Sequence, residues 1–342
     1  MRPLPALPSR PRSAPAWALL VPWLAAWVMA CGGASSVPPT TSPGSPTTPT
    51  PPTPPAAPVI TAIGEATLLD VATWNLEWFG DPANGPSNET QQAANIRAAL
   101  AGADVDLWAV QEVVSATAFR SLVGALPGYA GVLATDPIVT GGAAAYSDFN
   151  DAEQKVGLIY RSAVASVMGA RVILTERDFD FAGRPPVEFR VRVTLGSVVD
   201  TLPVIVLHAK AGSDAASYAR RATAATALQA WVEQTYPTQA VWVIGDFNDD
   251  MDVSITTGQP SPYAAIVSDT LRWRVPTKAL SDARQSTTVS FADAIDHHVV
   301  TRSAGLRYVP LSARVWRLDS LIPNYRTTTT DHYPVVARYH PR

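Results

Sequence analysis

The chain has 342 residues, of which 26 are basic, 29 are acidic and 47% are hydrophobic. This length permits one large domain or two small ones, and the apolar fraction is ordinary for a globular protein. The first 58 residues contain Arg2, Arg10 and Arg12 and no acidic residue, which leaves 23 basic against 29 acidic residues, a net charge of −6, in the remainder. That balance argues against a strongly basic nucleic-acid-binding surface, so a polyanionic substrate would have to be held locally or through a cation.

The single cysteine, Cys31, lies in a segment that is typical of protein export. One cysteine excludes an intramolecular disulfide and a cysteine-based metal site. A basic start, an apolar run at residues 17–30 and small residues around Cys31 predict an export signal at residues 1–31, too short for a stable membrane span. The cysteine at the processing site resembles a bacterial lipobox, which predicts that Cys31 is lipidated and anchors the protein to a membrane. An ordinary cleaved signal peptide and an uncleaved anchor are the alternatives.

Residues 32–58 consist almost entirely of Pro, Thr, Ser, Gly and Ala. This composition cannot bury a core and favours extended conformations, so we expect a disordered, semi-rigid linker that reaches roughly 75 Å. A globular domain is predicted at residues 59–342. An export signal, a linker and a domain in this order predict an extracytoplasmic protein, either an outer-membrane or cell-surface lipoprotein or a secreted one.

The predicted domain opens with a strand at residues 68–80 that is interrupted by Asn75. An asparagine within an apolar and aromatic strand is disfavoured and needs hydrogen-bond partners, so it is either a satisfied core amide or a residue that faces a ligand. Glu77 lies two residues further along and faces the same side, where a structural role is favoured. Asn88 is then expected to cap a helix that ends near Gly102.

A second strand is predicted at residues 105–113, and its apolar run ends in Glu112. Ser115 begins another helix with apolar residues at core spacing. Residues 134–154 are polar and rich in Gly and Asp, which favours a long surface loop. A further strand is predicted at residues 156–161.

Residues 187–195 alternate between apolar and polar side chains, which predicts a strand with one buried face. The next strand, at residues 203–207, ends at His208, whose ordinary pKa suits proton transfer near neutral pH; a hydrogen-bonded histidine without a catalytic role is the alternative. An Ala-rich helix is predicted at residues 214–236. Residues 259–290 are assigned mainly to loops.

The most informative stretch is residues 241–250, where a buried strand ends in glycine and is followed by a run of acidic residues. Asp246 and Asn248 lie two residues apart, so on an extended segment both would face one ligand. The alternative is an Asp/Asn turn that caps local backbone groups. Asp296 begins a later strand, and Asp331 and His332 precede the final apolar run.

Polar residues with catalytic potential therefore occur at the ends of predicted strands or at breaks in them. Hydrolysis of a phosphodiester requires a divalent cation, an in-line water, a base and an acid or electrophile for the leaving oxygen. Carboxylates and carboxamides are hard oxygen ligands suited to Mg²⁺. The residues available for these tasks are Asn75, Glu112, His208, Asp246, Asn248, Asp296, Asp331 and His332.

Seven short motifs, in order across about residues 66–340, give the chain its resemblance to a known family. They are Trp-Asn-Leu-Glu at 74–77, Val-Gln-Glu at 110–112, the strand at 156–161, Leu-His at 207–208, Gly-Asp-Phe-Asn at 245–248, Ile-Asp-His at 295–297 and Asp-His-Tyr-Pro at 331–334. The chain resembles the endonuclease/exonuclease/phosphatase family, which has the DNase I-like fold. The resemblance implies a four-layer α/β sandwich, in which two packed mixed β-sheets are flanked by helices. The residue patterns alone support only an α/β class.

The resemblance also implies a metal site and the residues around it. Glu112 would be the principal metal ligand, with Asn75 and Asp331 near the same ion. Mg²⁺ is the expected cofactor, and Mn²⁺ and Ca²⁺ are alternatives. Asp246 and Asn248 would orient and activate the attacking water and hold the phosphate.

Two histidines complete the site that the resemblance implies. His332, supported by Asp296, would bond a non-bridging phosphate oxygen or transfer a proton, and the assignment of base and acid stays open. His208 matches the second histidine of the deoxyribonuclease branch. That branch pairs this histidine with a glutamate, and the candidate here, Glu153, is offset by one residue from the common pattern.

The resemblance and the export signal together predict an extracytoplasmic, metal-dependent phosphodiester hydrolase. An endonuclease is favoured, with DNA rather than RNA as the preferred nucleic-acid substrate. One alternative is a phosphatase or phospholipase-type phosphodiesterase acting on inositol phosphates or sphingomyelin-like head groups, and another is a surface binding module without activity. No motif indicates a protein partner, and a monomer is expected.

Overall fold

The computed structural model describes residues 58–147 and 153–342. The predicted export signal, Cys31 and the predicted linker up to residue 57 lie outside the described residues. Within the two described ranges, no helix combines the length and the apolar character needed to cross a membrane.

Thirteen strands form two sheets within the described residues. In chain order they are β1 (Leu69–Phe79), β2 (Leu107–Val113), β3 (Tyr129–Leu133), β4 (Val139–Thr140), β5 (Lys155–Arg161), β6 (Ala165–Val172), β7 (Val187–Leu195), β8 (Val198–His208), β9 (Trp242–Asp246), β10 (Trp273–Arg274), β11 (Asp296–Thr301), β12 (Arg314–Val315) and β13 (Val335–Tyr339). The first sheet has the order β12-β13-β1-β2-β5-β3, and the second has the order β10-β11-β9-β8-β7-β6-β4. Both sheets are mixed, because β1 is parallel to β2 but antiparallel to β13, and β8 is parallel to β9 but antiparallel to β7.

The two sheets pack face to face through a shared apolar core. Val71 of the first sheet and Val204 and Ile244 of the second belong to one buried cluster. Trp242 and Tyr339 make an edge contact between the sheets, with ring centroids 5.5 Å apart. Each fully buried side chain of this kind contributes about 1.5–3 kcal/mol through the hydrophobic effect, so this layer is a main source of stability.

Helices cover the outer faces of both sheets. The helices are α1 (Glu89–Ala103), α2 (Ala116–Gly124), α3 (Gly142–Ala145), α4 (Ala215–Thr235), α5 (Ala264–Ser268), α6 (Lys278–Asp282), α7 (Arg302–Gly305) and α8 (Tyr325–Thr328). Apolar residues of α1 and α2 pack with outward-facing residues of β1 and β2, and those of α4 and α5 pack with outward-facing residues of β8 and β9. The predicted layered α/β sandwich, with two mixed sheets flanked by helices, is therefore confirmed.

Most predicted elements are present, and the caps agree in detail. Asn88 Oδ1 accepts a hydrogen bond from the backbone N–H of Gln91, and Asp214 caps α4 in the same way through Ala216 and Ser217. The loop predicted at residues 134–154 contains β4 and α3, while residues 148–152 lie outside the described residues. The segment 259–290, assigned mainly to loops, contains the short elements α5, β10 and α6.

Candidate active site

Period-two alternation in the strands carries four predicted site residues to the space between the sheets. Val71 in β1 faces the inner core, and Asn75 continues the same row of alternate residues. In β8, β9 and β11 the inner rows contain Val206, Ile244 and Val300, and they end at residues 208, 246 and 296. These four site residues, Asn75, His208, Asp246 and Asp296, are buried at one edge of the sandwich.

The register of the second sheet places three of these side chains in one row across the strands. His208 pairs with Asp246 between the parallel strands β8 and β9, and Asp296 pairs with Asp246 between the antiparallel strands β9 and β11. Gly245 makes the close approach of β8 and β9 possible. Its φ is +151°, and a Cβ atom at this position would lie 2.0 Å from the backbone oxygen of Leu207.

Asn75 joins the first sheet to this row. Its Nδ2 donates to Glu112 Oε1 and to Asp246 Oδ2, each at 3.0 Å. Its Oδ1, the atom that would ligate a cation, accepts from the backbone N–H of Glu77 at 2.9 Å. The neutral amide thus holds two carboxylates from different sheets close together, and its predicted part in metal binding stays a prediction.

A break in the pairing of β1 with β2 turns Glu112 toward the site. Trp108 and Val110, the preceding residues of the same alternate row, pack in the outer core under the helices, so a regular strand would aim Glu112 outward. The register shifts after Asn75, and Glu112 has a φ of +57°, in the left-handed region. Glu112 Oε2 then accepts from the backbone N–H of Trp78 at 3.1 Å.

Glu112, His208 and Asp246 form one triplet whose potential ligand atoms all lie within 4.8 Å of one another. His208 Nε2 is 3.5 Å from Glu112 Oε1 and 3.7 Å from Asp246 Oδ2. Burial raises the pKa of Glu112. Burial, reinforced by the charge of Arg184, lowers the pKa of His208 well below its ordinary value, so this imidazole is neutral at pH 7.

The proposed partner of His208 in the deoxyribonuclease branch, Glu153, is buried at the start of the second described range. His208 Nδ1 is buried without a hydrogen-bond partner in the part of the chain that the structure describes. Pairing of His208 with Glu153 stays a prediction.

Asp246, Asp296 and His332 form a second triplet that shares Asp246 with the first. His332 Nδ1 lies 2.9 Å from Asp296 Oδ2, and His332 Nε2 lies 4.0 Å from Asp246 Oδ2. Burial disfavours the charged imidazole, but the charges of Asp296 and Asp246 outweigh it and raise the pKa of His332 well above its ordinary value. Burial and the charge of Asp296 raise the pKa of Asp246 to about 7.

The turn after β9 shows features of both alternatives considered for its sequence, a local Asp/Asn turn and side chains that face the site. Asp246 Oδ1 accepts from the backbone N–H of Asn248 at 2.8 Å, as in an Asx turn, and Asn248 has a φ of +50°. At the same time Asp246 Oδ2 faces Asn75 and the two histidines. Asn248 Nδ2 donates to the backbone oxygen of Ala209 at 3.1 Å, which ties the turn to the segment after His208.

Asp331 lies outside both triplets, at the rim of the site. Its Oδ1 is 3.9 Å from His332 Nε2, and its Oδ2 is 4.0 Å from Arg326. Arg326 also donates to both carboxylate oxygens of Glu77, at 2.8 and 2.9 Å. Burial and the charge of Asp331 raise the pKa of Glu77 to about 7, so Glu77 belongs to the electrostatics of the site although its sequence context favoured a structural role.

Arg184 is a site residue that the sequence did not indicate. Its guanidinium donates to Gln154 Oε1 and, at 3.1 Å, to the backbone oxygen of Ala209. Burial lowers the pKa of Arg184, and the charges of Glu112 and Asp246 oppose that effect. Arg184 lies in the Ala-Gly-Arg-Pro-Pro segment at 182–186, which has no periodicity that could assign a face to its side chain.

The donor set fits a hard divalent cation. Glu112 and Asp246 bring carboxylate oxygens close together in a buried position, and Asp331 adds a half-buried carboxylate at the rim. Carboxylate oxygens are the ligands that Mg²⁺ and Ca²⁺ prefer. These residues would hold such an ion, whose identity the donor set alone does not select.

Comparison with known proteins agrees with the fold. No curated protein sequence matches the chain significantly. Three solved structures illustrate the likeness, with sequence identities far too low to indicate more than the fold. TDP2 from D. rerio, complexed with a single-strand DNA product, is 14% identical, covers 80% of this chain and 99% of its own, and has a TM-score of 0.54. An endonuclease/exonuclease/phosphatase from Bacteroides vulgatus is 16% identical, with coverages of 81% and 100% and a TM-score of 0.54. A mannosyl-6-phosphatase from Bacteroides thetaiotaomicron is 17% identical, with coverages of 79% and 98% and a TM-score of 0.51.

The sequence itself gives the family. The profile of the endonuclease/exonuclease/phosphatase family matches residues 72–332. This range contains β1 through β12 almost entirely and includes every predicted site residue from Asn75 to His332. The chain therefore belongs to the endonuclease/exonuclease/phosphatase family, whose members hydrolyse phosphoester bonds.

Proposed function

We propose that the protein is a divalent-cation-dependent phosphodiester hydrolase, and specifically an endonuclease that cleaves DNA, with RNA as a second substrate, by in-line attack of water. The observation that carries this proposal is the opposite protonation of two histidines on either side of one carboxylate. His208 and His332 both approach Asp246 Oδ2, at 3.7 and 4.0 Å. His208 is neutral and His332 is charged at pH 7. Surroundings that move pKa values in opposite directions around one carboxylate are typical of sites that carry out acid–base catalysis.

The residues around Asp246 other than His208 then have tasks that their surroundings support. Asp246, with a pKa of about 7, can accept a proton from water, and Asn248 holds Asp246 through the turn. His332, oriented by Asp296, can donate a hydrogen bond to a non-bridging phosphate oxygen or a proton to the leaving oxygen. A cation held by Glu112, with Asp331 nearby, would neutralise charge that develops on the phosphate.

The charge of the site favours a diester over a monoester. Three cations lie at the site, namely His332, Arg184 and Arg326. They face five carboxylates, which are Glu77, Glu112, Asp246, Asp296 and Asp331. A diester phosphate carries one negative charge, whereas a monoester carries nearly two at pH 7. The diester is repelled less by these carboxylates, which supports a phosphodiesterase over a monoester phosphatase.

A phosphatase or phospholipase-type phosphodiesterase is the second candidate, because the net charge of −6 beyond residue 58 gives no general attraction for nucleic acid. The purified protein would be incubated with four kinds of substrate, namely plasmid DNA, RNA, inositol phosphates and sphingomyelin. Each reaction would be run with Mg²⁺ and then again with EDTA, which removes the cation. We expect cleavage of plasmid that EDTA abolishes and that Asp246→Ala reduces about a hundredfold or more. Intact plasmid beside rapid release of head groups would favour the second candidate, and no hydrolysis of any substrate would favour a binding module.

We also propose that the protein is exported and anchored through a lipid on Cys31, which the export-type composition of residues 1–31 supports. Cells expressing the full chain would be labelled with radioactive palmitate and fractionated. We expect label and membrane association for the natural chain and loss of both for Cys31→Ser. An unlabelled protein outside the cytoplasm would instead support an ordinary signal peptide.

A further inference from the structure

A group of basic side chains lies beside the proposed catalytic residues, in a domain that is acidic overall. Lys210 follows His208 by two residues, and Arg220 lies on α4. Arg184 donates a hydrogen bond to the backbone oxygen of Ala209, the residue before Lys210, and Arg220 precedes Arg221, which donates to the backbone oxygen of Lys210. The fold therefore brings three basic residues together around the segment that follows His208.

Buried contacts hold the segment that carries Lys210 in a fixed position relative to the site. Arg184 donates to the backbone oxygen of Ala209 at 3.1 Å. Arg221 donates to the backbone oxygens of Lys210 and Gly212, at 2.8 and 2.6 Å. Arg221 is itself fully buried in a 2.8 Å ion pair with Asp249, directly after the Asp246–Asn248 turn. The region of positive charge is thus attached to the site by several hydrogen bonds.

Arg220 extends this region to an exposed aromatic ring. Arg220 Nε donates to the backbone oxygen of Phe179 at 2.9 Å, and its Cζ atom lies 4.1 Å from the centroid of the Phe179 ring. Phe179 is 71% exposed. A cation held against an exposed aromatic ring gives one surface that can contact both a phosphate and a base.

A small phosphodiester would use only the residues around Asp246, and it would leave these outer groups without a ligand. A polynucleotide carries further phosphates and bases beyond the bond that is cleaved. Single-stranded nucleic acid is bound by cations that follow its backbone and by aromatic rings that stack on its bases. The side chains of Arg184, Lys210, Arg220 and Phe179 supply both parts of such a binding surface, three cations and one aromatic ring.

We propose that Lys210, Arg220 and Phe179 form a subsite for the nucleotide next to the cleaved bond of a single-stranded polynucleotide. Lys210 and Arg220 contact its phosphate, and Phe179 stacks on its base. Arg184 lies between this subsite and the catalytic residues. The inference rests on the proposed nuclease function and adds to it a preference for a polymeric, single-stranded substrate.

The test compares a single-stranded DNA dodecamer with bis(p-nitrophenyl) phosphate, a diester that has no flanking phosphate or base. The full chain and the variants Lys210→Ala, Arg220→Ala and Phe179→Ala would be assayed with both substrates. We expect each variant to raise KM for the dodecamer about 5-fold or more. Phe179→Ala removes the stacking of one base, which contributes about 1–3 kcal/mol, and Lys210→Ala and Arg220→Ala each remove a cation that contacts the phosphate. The kcat/KM for the small diester should fall far less. Arg97→Ala, which removes an exposed arginine from α1, is the matched control and should change neither substrate.

The salt dependence of KM gives a second readout that a merely structural effect would not change. For single strands, each phosphate contact contributes a slope of about 0.7 in a plot of log affinity against log salt. Lys210→Ala and Arg220→Ala should reduce this slope, whereas Phe179→Ala should leave it as in the natural chain. Equal losses on both substrates, or unchanged KM and slope for the dodecamer, would overturn the subsite. Failure of the natural chain to cleave the dodecamer while it hydrolyses small phosphoesters would overturn the nuclease function itself.

Discussion

His332 Nδ1 lies 2.9 Å from Asp296 Oδ2, and this buried pair keeps the imidazole charged in a position where burial alone would make it neutral. Asp296 lies on a strand of the second sheet, while His332 precedes the last strand of the first sheet. The position of the His332 backbone is fixed through its oxygen, which accepts from Trp74 Nε1 at 3.2 Å and from the Tyr325 hydroxyl at 2.5 Å. The backbone position of His332 and the charge of its imidazole are therefore set by different elements.

Asp296→Asn should lower kcat about a hundredfold and shift its pH dependence. Without the carboxylate charge, burial lowers the pKa of His332, so the protonated fraction at pH 8 falls more than that at pH 5.5. The kcat would be measured from pH 5 to 9 with bis(p-nitrophenyl) phosphate, and the alkaline limb should move to lower pH. Asp282→Asn, at an exposed position on α6, is the control. An unchanged pH profile would show that Asp296 does not set the charge of His332 during turnover.

Glu112→Gln should remove most of the stabilisation that a divalent cation gives. Burial raises the pKa of Glu112, so its ionised form is unfavourable until a cation neutralises it. At a cation concentration 100 times Kd, the natural chain should gain about 2.7 kcal/mol in the free energy of unfolding. Thermal unfolding would be followed during a Mg²⁺ titration, with the exposed Glu176→Gln as control. Equal shifts of Tm in Glu112→Gln and the natural chain would place the cation elsewhere.

Arg221→Met should destabilise the protein by about 3–5 kcal/mol, because it leaves Asp249 buried without its cation. The Arg221 guanidinium also supports the backbone oxygens of Lys210 and Gly212, which would lose their donors. Chemical denaturation would give the free energy of unfolding, and Arg97→Met on the surface of α1 would be the control. A loss below about 1 kcal/mol would indicate that water replaces the guanidinium, contrary to this account.

Asp106→Asn should flatten the dependence of stability on pH between about pH 4 and 6. Burial, followed by the charge of Asp70, raises the pKa of Asp106 from 3.8 to about 6 in the folded protein. In this window the folded state binds more protons than the unfolded state, so the free energy of unfolding falls as pH rises. The asparagine cannot ionise and should remove roughly 1–3 kcal/mol of that fall.

Denaturation at pH 4 and 7 would test this prediction, and the variant would be compared with the natural chain at each pH. Glu77 and Asp246 titrate near pH 7 in both proteins, so their contribution cancels in the comparison. Parallel pH profiles for the two proteins would mean that Asp106 ionises in the folded state as it does in the unfolded chain.

The sequence contains most of the information about which strands bring which residues to the site. Alternation in β8 and β9 assigns His208 and Asp246 to the inner face. His208 continues the row of alternate residues that contains Val206, and Asp246 continues the row that contains Ile244, and both aliphatic residues belong to the inner core. The inward turn of Glu112 has no such signal, since it depends on a positive φ and on a shifted register with β1. Strand periodicity would have assigned Glu112 to the opposite face.

Long-range packing explains what the sequence did not reveal. Arg184 and Arg326 reach the site from segments without strand periodicity, and their roles depend on partners more than 20 residues away, such as Ala209 and Glu77. The edge strand β3 and the strand β6, which lies between β4 and β7, were also not predicted; each contains a glycine, and their side chains are only partly buried. Their pairing with β5 and β7 supplies the stability that their own sequences do not indicate.

The 3.0 Å hydrogen bond from Asn75 in the first sheet to Asp246 in the second makes catalytic geometry depend on the spacing of the two sheets. A larger side chain in the inner core that moved the sheets apart by a fraction of an ångström would stretch this bond, while the bond from Asn75 to Glu112 within the first sheet would be kept. Aliphatic residues far from the substrate, such as Val71 and Ile244, therefore help to set the distances between catalytic groups as well as the stability of the fold.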